Sequence, residues 1–273
     1  MVLSIVIVNY KAGALLWQCL DSIHRCAPRD PYEIVVVDNK SNDGSSEEIR
    51  TRYPTVGVIQ NERNHGFGTA VNIGFRRTSG TYVLVLNPDI EVSPDAIETL
   101  IDYMESAPDV GLCAPKLLNP DGTLQYSCRT YYSLWTILLR RSVLGRLLPD
   151  HPCVRMHLMM DWDHDSRREV DWVLGAALML RRSALPVEGA MDERFFLYFE
   201  DVDLCLRLHK AGWKVVYNPA SVMIHHHLRA SARGVLNRAK LEHVKSWIKF
   251  SVKHRGEPLL RRRQADPEVG RSC

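Results

Sequence analysis

Through the first hundred residues, compact apolar runs alternate with stretches in which apolar positions recur every three to four residues. Residues 3–8, 33–37, 56–60 and 82–86 are short runs rich in Val, Ile and Leu, the pattern of strands buried on both faces. Between them the spacing predicts a helix with Leu16, Leu20 and Ile23 on one face, a second helix over 45–53 and a third over 68–78. A fourth helix is expected after residue 93, with Ser93 as its cap and Pro94 at its first position. This alternation predicts an α/β fold: a Rossmann-like, mostly parallel, doubly wound sheet with helices on both faces. Ligands of such sheets bind beyond the carboxyl ends of the strands. Three strands run into polar clusters there, at Asn9, Asp38-Asn39 and Asn87-Pro88-Asp89.

The second half is less regular. Residues 133–148 are apolar with interspersed arginines, and 151–169 are polar, a predicted loop. Strands are expected over 172–181, 214–217 and 221–225, and helices over 201–211 and 237–254. In the last helix Leu241, Val244, Trp247, Ile248 and Val252 share a face, Arg238, Lys245, Lys249 and Lys253 line its edge, and Arg261-Arg262-Arg263 follow. That pattern suits a helix lying in a membrane interface. It suits equally a helix packed on the main domain by the same face. The expected organisation is a main domain over 1–230, with halves 1–112 and 113–230, and a basic C-terminal helical extension over 231–273.

Composition narrows the class. The 273 residues are 45% hydrophobic and 25% charged, which excludes disorder, collagen and coiled coil. A net charge of +3 is too small for a dedicated nucleic-acid binder, so no nucleic-acid partner is expected. The charge is nevertheless concentrated: residues 228–273 hold twelve Lys/Arg against four Asp/Glu. The seven cysteines are scattered without a C-x-x-C, which argues against a disulfide framework or zinc site and for a reducing compartment. The first ten residues lack a basic segment, and the longest clean apolar run, 172–180, has nine residues, too few to span a bilayer. A cytoplasmic protein, soluble or peripheral at a membrane, is the expectation.

Five segments carry chemistry. Asp38-Asn39, followed by Ser41 and Asp43-Gly44, can hydrogen-bond a base or ribose, or form only a polar turn that caps a helix. The stretch from Asn64 through Gly66 and Gly68 to Asn72 feeds a helix N-terminus, a ready anion site, though a tight turn reads the same way. Asp89 can hold a divalent cation on a diphosphate, or simply end a strand in an Asx-Pro turn. Glu200, Asp201 and Asp203 follow an aromatic run at a loop-to-helix junction. Clustered carboxylates raise one another's pKa, as a general base requires, whereas an acidic helix start needs only the macrodipole. Asp203 and Arg207 form an i,i+4 pair of structural character. In His225-His226-His227, side chains alternate along a strand, so either His225 with His227, or His226 alone, points into a site.

As a series, these segments resemble the family 2 glycosyltransferases of GT-A fold. The resemblance rests on IVIVNY (5–10), VVVDNKSNDGS (35–45), NHGFGTAVNIG (64–74), YVLVLNPD (82–89), DWVLGAALMLRR (171–182) and DERFFLYFEDVDLCLRLHKAGW (192–213). The NPD form and the FFLYFEDVDLCLR stretch look most like the bacterial rhamnosyltransferase branch, which builds cell-wall and surface polysaccharides on polyprenyl-linked acceptors. The resemblance implies an inverting transferase using a nucleotide-sugar donor, with dTDP-rhamnose or a UDP-hexose as the donor and a glycan or lipid-linked acceptor. It implies that Asp38, Asn9 and Asn39 bind the donor nucleoside, that Asn64, Gly66, Asn72 and Asn87 lie along the donor pocket, and that Asp89 holds Mg²⁺ or Mn²⁺. Among the histidines it points to His226 as a further metal ligand, and it makes Asp201, or Glu200 beside it, the general base. It also implies peripheral attachment at the inner face of the cell membrane, against an anionic surface. The family's metal motif is commonly D-x-D, and here Asn87 stands in place of the first acid.

The chemistry is consistent. A nucleotide-sugar already carries its leaving group, so one base and one cationic site suffice. A glycoside hydrolase would need a second, separate carboxylic acid, which the sequence does not offer. The rival readings are a nucleotide-binding domain without catalysis and a dinucleotide oxidoreductase, the latter disfavoured by a missing third glycine.

Overall fold

The computed structural model describes residues 2–132, 136, 151–226 and 238–255. The predicted alternation is present: β1 (Leu3–Asn9), α1 (Ala14–Arg25), β2 (Tyr32–Asp38), α2 (Ser45–Arg52), β3 (Gly57–Gln60), α3 (Phe67–Arg76) and β4 (Tyr82–Leu86). A three-residue strand β5 (Ile90–Val92), too short to carry a period, precedes α4 (Ala96–Ser106) and β6 (Val110–Leu118). Short strands β7 (Leu124–Gln125) and β8 (Cys128–Arg129), helix α5 (Pro152–His157) and strands β9 (Arg168–Glu169) and β10 (Trp172–Val173) lead into β11 (Ala177–Arg181). Helix α6 (Glu200–Lys210), strand β12 (Lys214–His225) and helix α7 (Arg238–Lys253) follow.

The main sheet runs β3-β2-β1-β4-β11-β6-β12-β5. Strands β3, β2, β1 and β4 are mutually parallel, and β6 is parallel to β12. Strand β11 lies between β4 and β6 and is antiparallel to both. Side chains alternate across the sheet and divide the core in two. Leu3, Ile5 and Ile7 of β1 face Leu16 and Leu20 of α1, Ile49 of α2 and Leu100 of α4. Val6 and Val8 face Val71 and Phe75 of α3, Leu204 and Leu208 of α6, and Phe250 of α7. Each such buried aliphatic contributes about 1.5–3 kcal/mol relative to exposure.

Several boundaries differ from expectation for local reasons. The residue before α4 is Asp95 in the left-handed region (φ 59°), so Ser93 does not cap this helix with its side chain. The expected strand over 172–181 breaks at Leu174-Gly175-Ala176, its first part pairing with β8 and its second with β4. The two strands expected over 214–225 are one, with a register shift between Asn218 and Val222. The expected loop over 151–169 contains α5 and β9. The apolar segment 133–148, apart from Thr136, and His227 lie outside the described residues. Cys19, Cys26, Cys113, Cys128 and Cys205 are free thiols, whereas Cys153 is disulfide-bonded. Among the described residues no helix is long and apolar enough to cross a membrane.

Candidate active site

Strands β1 and β2 end in register, with Asn9 opposite Asp38, so both polar residues emerge together. The Asn9 amide donates to Asp38 Oδ1 (3.0 Å), Ser41 Oγ (3.1 Å) and Ser45 Oγ (3.0 Å). The Ser41 amide donates to Asp38 Oδ2 (3.2 Å). Asp38 is thus held in one orientation by its own turn. Asn39 ties this turn to the glycine loop: its Oδ1 accepts from Asn61 Nδ2 (3.0 Å) and the His65 amide (3.2 Å), and its Nδ2 donates to the Gly66 carbonyl (3.0 Å). Asn64 Oδ1 accepts from the Gly66 amide at 2.8 Å. Beside this edge lies an open cleft of about 300 Å³ lined by Lys40, Asn42, Gln60, Asn61 and Glu62.

Glycine at position 66 is required twice over. Its φ is +87°, and a Cβ there would sit 2.2 Å from the Phe196 carbonyl oxygen. The Phe67 amide donates to that same oxygen at 2.9 Å. The glycine loop and the aromatic–acidic segment, far apart in sequence, therefore meet backbone to backbone.

The second polar cluster follows β4. The Asn87 amide donates to the Ala176 carbonyl at 2.9 Å, which places the start of β11 against the end of β4. Asp89 is buried, and its Oδ1 lies 3.3 Å from His225 Nε2. His225 Nδ1 is 2.7 Å from Gln125 Oε1. An amide oxygen only accepts, so Nδ1 is the donor to Gln125 and Nε2 is the ring atom turned to Asp89. A carboxylate oxygen and an imidazole lone pair facing each other need a cation between them, either a proton or a metal ion, and the partner on the far ring nitrogen is the support that metal-binding histidines use. The residues thus fit a divalent cation with two protein donors. Among the described residues no cluster of three His, Cys, Asp or Glu side chains surrounds such a point, so the diphosphate and water would complete the shell. His226, the expected ligand, points elsewhere: its Nε2 lies 3.2 Å from Glu91 Oε2, and only its backbone amide reaches Asp89, at the carbonyl.

The third cluster opens α6. Tyr198 and Phe199 both take left-handed conformations (φ 68° and 71°) immediately before Glu200. Asp201 Oδ2 accepts from the Gly175 amide at 3.0 Å, and its Oδ1 from the Val202 amide at 2.9 Å. Gly175 precedes Ala176, the partner of Asn87, so Asp201 and Asp89 stand at the same end of the sheet, joined through Gly175, Ala176 and Asn87. Burial pushes both the Glu200 and the Asp201 carboxyls above the ordinary range, and the Asp201 charge pushes Glu200 further. Backbone hydrogen bonds and the nearby Arg129 charge work the other way on Asp201. Glu200 Oε2 is buried without a hydrogen-bond partner. Asp203 departs from the expectation that all three acids raise one another. Burial would raise it, but hydrogen bonds from Lys253, Arg207 and His254 outweigh that and hold it low. Its pair with Arg207, 2.8 Å, is the predicted structural one.

Asn72 lines a second cleft, with Arg76, Gly189 and Met191. Its Nδ2 donates to the Met191 carbonyl (2.8 Å) and its Oδ1 accepts from the Met191 amide (2.9 Å), strapping α3 to the segment before α6. Gly175, Gln125 and Arg129 were not singled out from sequence. Gly175 is hidden inside the longest apolar run, and the other two lie in a stretch without period.

A mostly parallel sheet with β11 reversed inside it, polar residues at the ends of β1, β2 and β4, and a raised carboxylate at the same sheet end as an acid–histidine pair define a GT-A glycosyltransferase. The chain belongs to glycosyl transferase family 2, whose model matches residues 4–160. It is 33% identical over 266 residues to the N-acetylglucosaminyl-diphospho-decaprenol L-rhamnosyltransferase of Mycobacterium tuberculosis, covering 93% of this chain and 86% of that one. It is 28% identical to the rhamnosyltransferase WbbL of Escherichia coli, covering 92% and 93%. Among solved structures it is similar to a mannosyltransferase from Pyrobaculum calidifontis in complex with GDP-Man and Mn²⁺ (TM-score 0.60, 17% identity, 92% of this chain and 64% of that one). It is similar also to GalNAc-T7 with UDP, GalNAc and Mn²⁺ (TM-score 0.64, 18% identity, 95% and 53%).

Proposed function

We propose that this chain transfers a sugar, rhamnose from dTDP-rhamnose being the favoured donor, to a hydroxyl of a polyprenyl-linked or glycan acceptor in bacterial cell-wall or surface polysaccharide synthesis, with inversion at the transferred carbon. The observation that carries the reading is Asp201, raised by burial and aimed by the Gly175 amide, at the same sheet end as Asp89 and His225. Asp38, aligned by Asn9 and Ser41, binds the nucleoside, and Asn39, Asn64 and Gly66 shape the wall beside it. Asp89 with His225 would hold Mg²⁺ or Mn²⁺, which when bound neutralises charge on the diphosphate. The acceptor oxygen bonds to the sugar's anomeric carbon as the bond from that carbon to the diphosphate oxygen breaks. The bonding pair leaves with the diphosphate, and the acceptor's proton passes to Asp201. The rhamnosyl donor and the lipid-linked acceptor are supported by the two rhamnosyltransferase relatives, and membrane attachment by an acceptor that would not leave the bilayer.

The test is nucleotide diphosphate release with dTDP-rhamnose, UDP-GlcNAc, UDP-galactose and UDP-glucose in turn. Asp201→Asn is expected to lower transfer by roughly 10²–10⁴ while donor binding survives. In the wild type, kcat/KM is expected to fall about tenfold per pH unit below about 6, as the raised Asp201 carboxyl takes up a proton. If Asp201→Asn turns over normally and Glu200→Gln does not, the base is Glu200.

A further inference from the structure

Helix α7 has two apolar sides with different fates. Phe250 is buried in the core beneath α6, and Trp247 packs against the same cluster. Leu241, Val244, Ile248 and Val252 recur at helical spacing on the other side and are 53%, 48%, 51% and 69% exposed. Exposed large apolar residues are few among the described residues, and four of the six fall on this one stripe. The helix carries five Lys/Arg against one Glu, and that Glu242 is paired with Lys245 at 2.8 Å. Arg261-Arg262-Arg263 follow within ten residues of its end.

The inner side is fixed to the segment that bears the base. Ser246 Oγ donates to the Leu197 carbonyl (2.8 Å), and Lys249 Nζ to the Arg194 carbonyl (2.7 Å). Lys253 Nζ bridges Asp192 (2.6 Å) and Asp203 (2.5 Å), and His254 Nε2 reaches Asp203 at 2.9 Å. The His243 ring contacts Tyr198 and Phe199, the two left-handed residues before Glu200.

We infer that the outer stripe of α7 is a docking face for an anionic lipid surface, and that its inner clamp fixes the orientation of the catalytic base relative to that surface. The charge selects the occupant. Lys253 is turned inward, but Lys245, Lys249 and Arg255 are exposed, and an apolar stripe flanked by such cations is attracted to acidic headgroups and repelled by a second copy of itself. A docking helix joined to the domain by at least five polar links holds the site at a set height and tilt, which a floppy tether would not. The lipid-linked acceptor is taken from the function proposed above; the docking face stands on the helix alone.

The test uses the full chain in two assays. In the first, protein is sedimented with vesicles of phosphatidylglycerol and phosphatidylcholine, and with phosphatidylcholine alone, at low and high salt. Wild type is expected to pellet with the anionic vesicles and to be released by salt. Ile248→Asp with Val252→Asp, and separately the milder Val244→Ser with Ile248→Ser, are expected to lower partitioning at least tenfold. In the second assay, transfer is measured to GlcNAc diphosphate bearing a short water-soluble chain and to the same group on a decaprenyl chain in vesicles. The variants are expected to match wild type on the soluble acceptor and to lose at least tenfold on the embedded one. Unaltered vesicle binding in both variants overturns the docking face, as does a wild-type dimer that the variants dissociate while no vesicles bind. Lost vesicle binding with undiminished transfer to the embedded acceptor overturns the orienting role. Absence of transfer in every arm, with vesicle binding intact, condemns the acceptor reading and leaves the docking face standing.

Discussion

At the scale of single residues, the histidine triplet shows how one step of strand register decides a role. Alternation allows either His225 with His227 or His226 to face the site, and in the fold His225 turns to Asp89 while His226 turns to Glu91. That register depends on the shift between Asn218 and Val222, for which no local sequence signal exists. His225→Ala and Asp89→Ala are therefore expected to weaken donor binding and metal dependence together, and His226→Ala to leave the metal titration of activity near wild type. Titration with Mn²⁺ after chelation distinguishes them. Glu200 yields a stability prediction with a definite sign. Its folded carboxyl is raised to about 8 from an ordinary 4.5, so between those values the folded protein holds a proton that the unfolded chain has released. Stability then falls as pH rises through that window. Glu200→Gln is expected to raise the Tm by a few degrees at pH 8 and to have little effect at pH 4, as followed by thermal denaturation. The acids at 200 and 201 were legible as a pair. Their different surroundings were not, because Asp201 alone of the two accepts from the backbone amide of Gly175, in the break between β10 and β11.

At the scale of elements, most strands and helices of residues 1–112 are written plainly in periodicity, since all but the edge strand β3 bury a defined face. What periodicity does not carry is where a loop touches. The Gly66 loop reads as a tight turn or an anion site, and in the fold it is also the surface on which the segment 195–199 rests. Gly66→Ala forces a Cβ into the Phe196 carbonyl, so the loop and the 195–199 turn must separate. The expected outcome is a loss of several kcal/mol in stability, or of donor affinity where the chain still folds. Urea denaturation and a donor-binding titration check it. Helix α7 was legible as amphipathic, yet its single predicted apolar face is two: Trp247 turns inward while Leu241, Val244, Ile248 and Val252 remain outside.

At the scale of the whole molecule, the C-terminal helix contributes Phe250 to the same hydrophobic cluster as Val202, Leu204 and Leu208 of α6. Phe250→Ala is expected to cost about 3–5 kcal/mol. Transfer should fall with it, because the clamp on Asp192 and Asp203 loosens; parallel melting and activity assays measure both. The sheet likewise joins what the sequence divides. Strand β11 (Ala177–Arg181) arrives late in the chain and inserts between β4 and β6, the later of which ends at Leu118. During synthesis this has a cost in time. Once β4 and β6 have left the ribosome, the slot between them stays open, with two unpaired backbone edges, until residue 181 emerges. At about 5–20 residues per second, that exposure lasts for seconds, long enough for a nascent chain to find another chain's edge instead of its own.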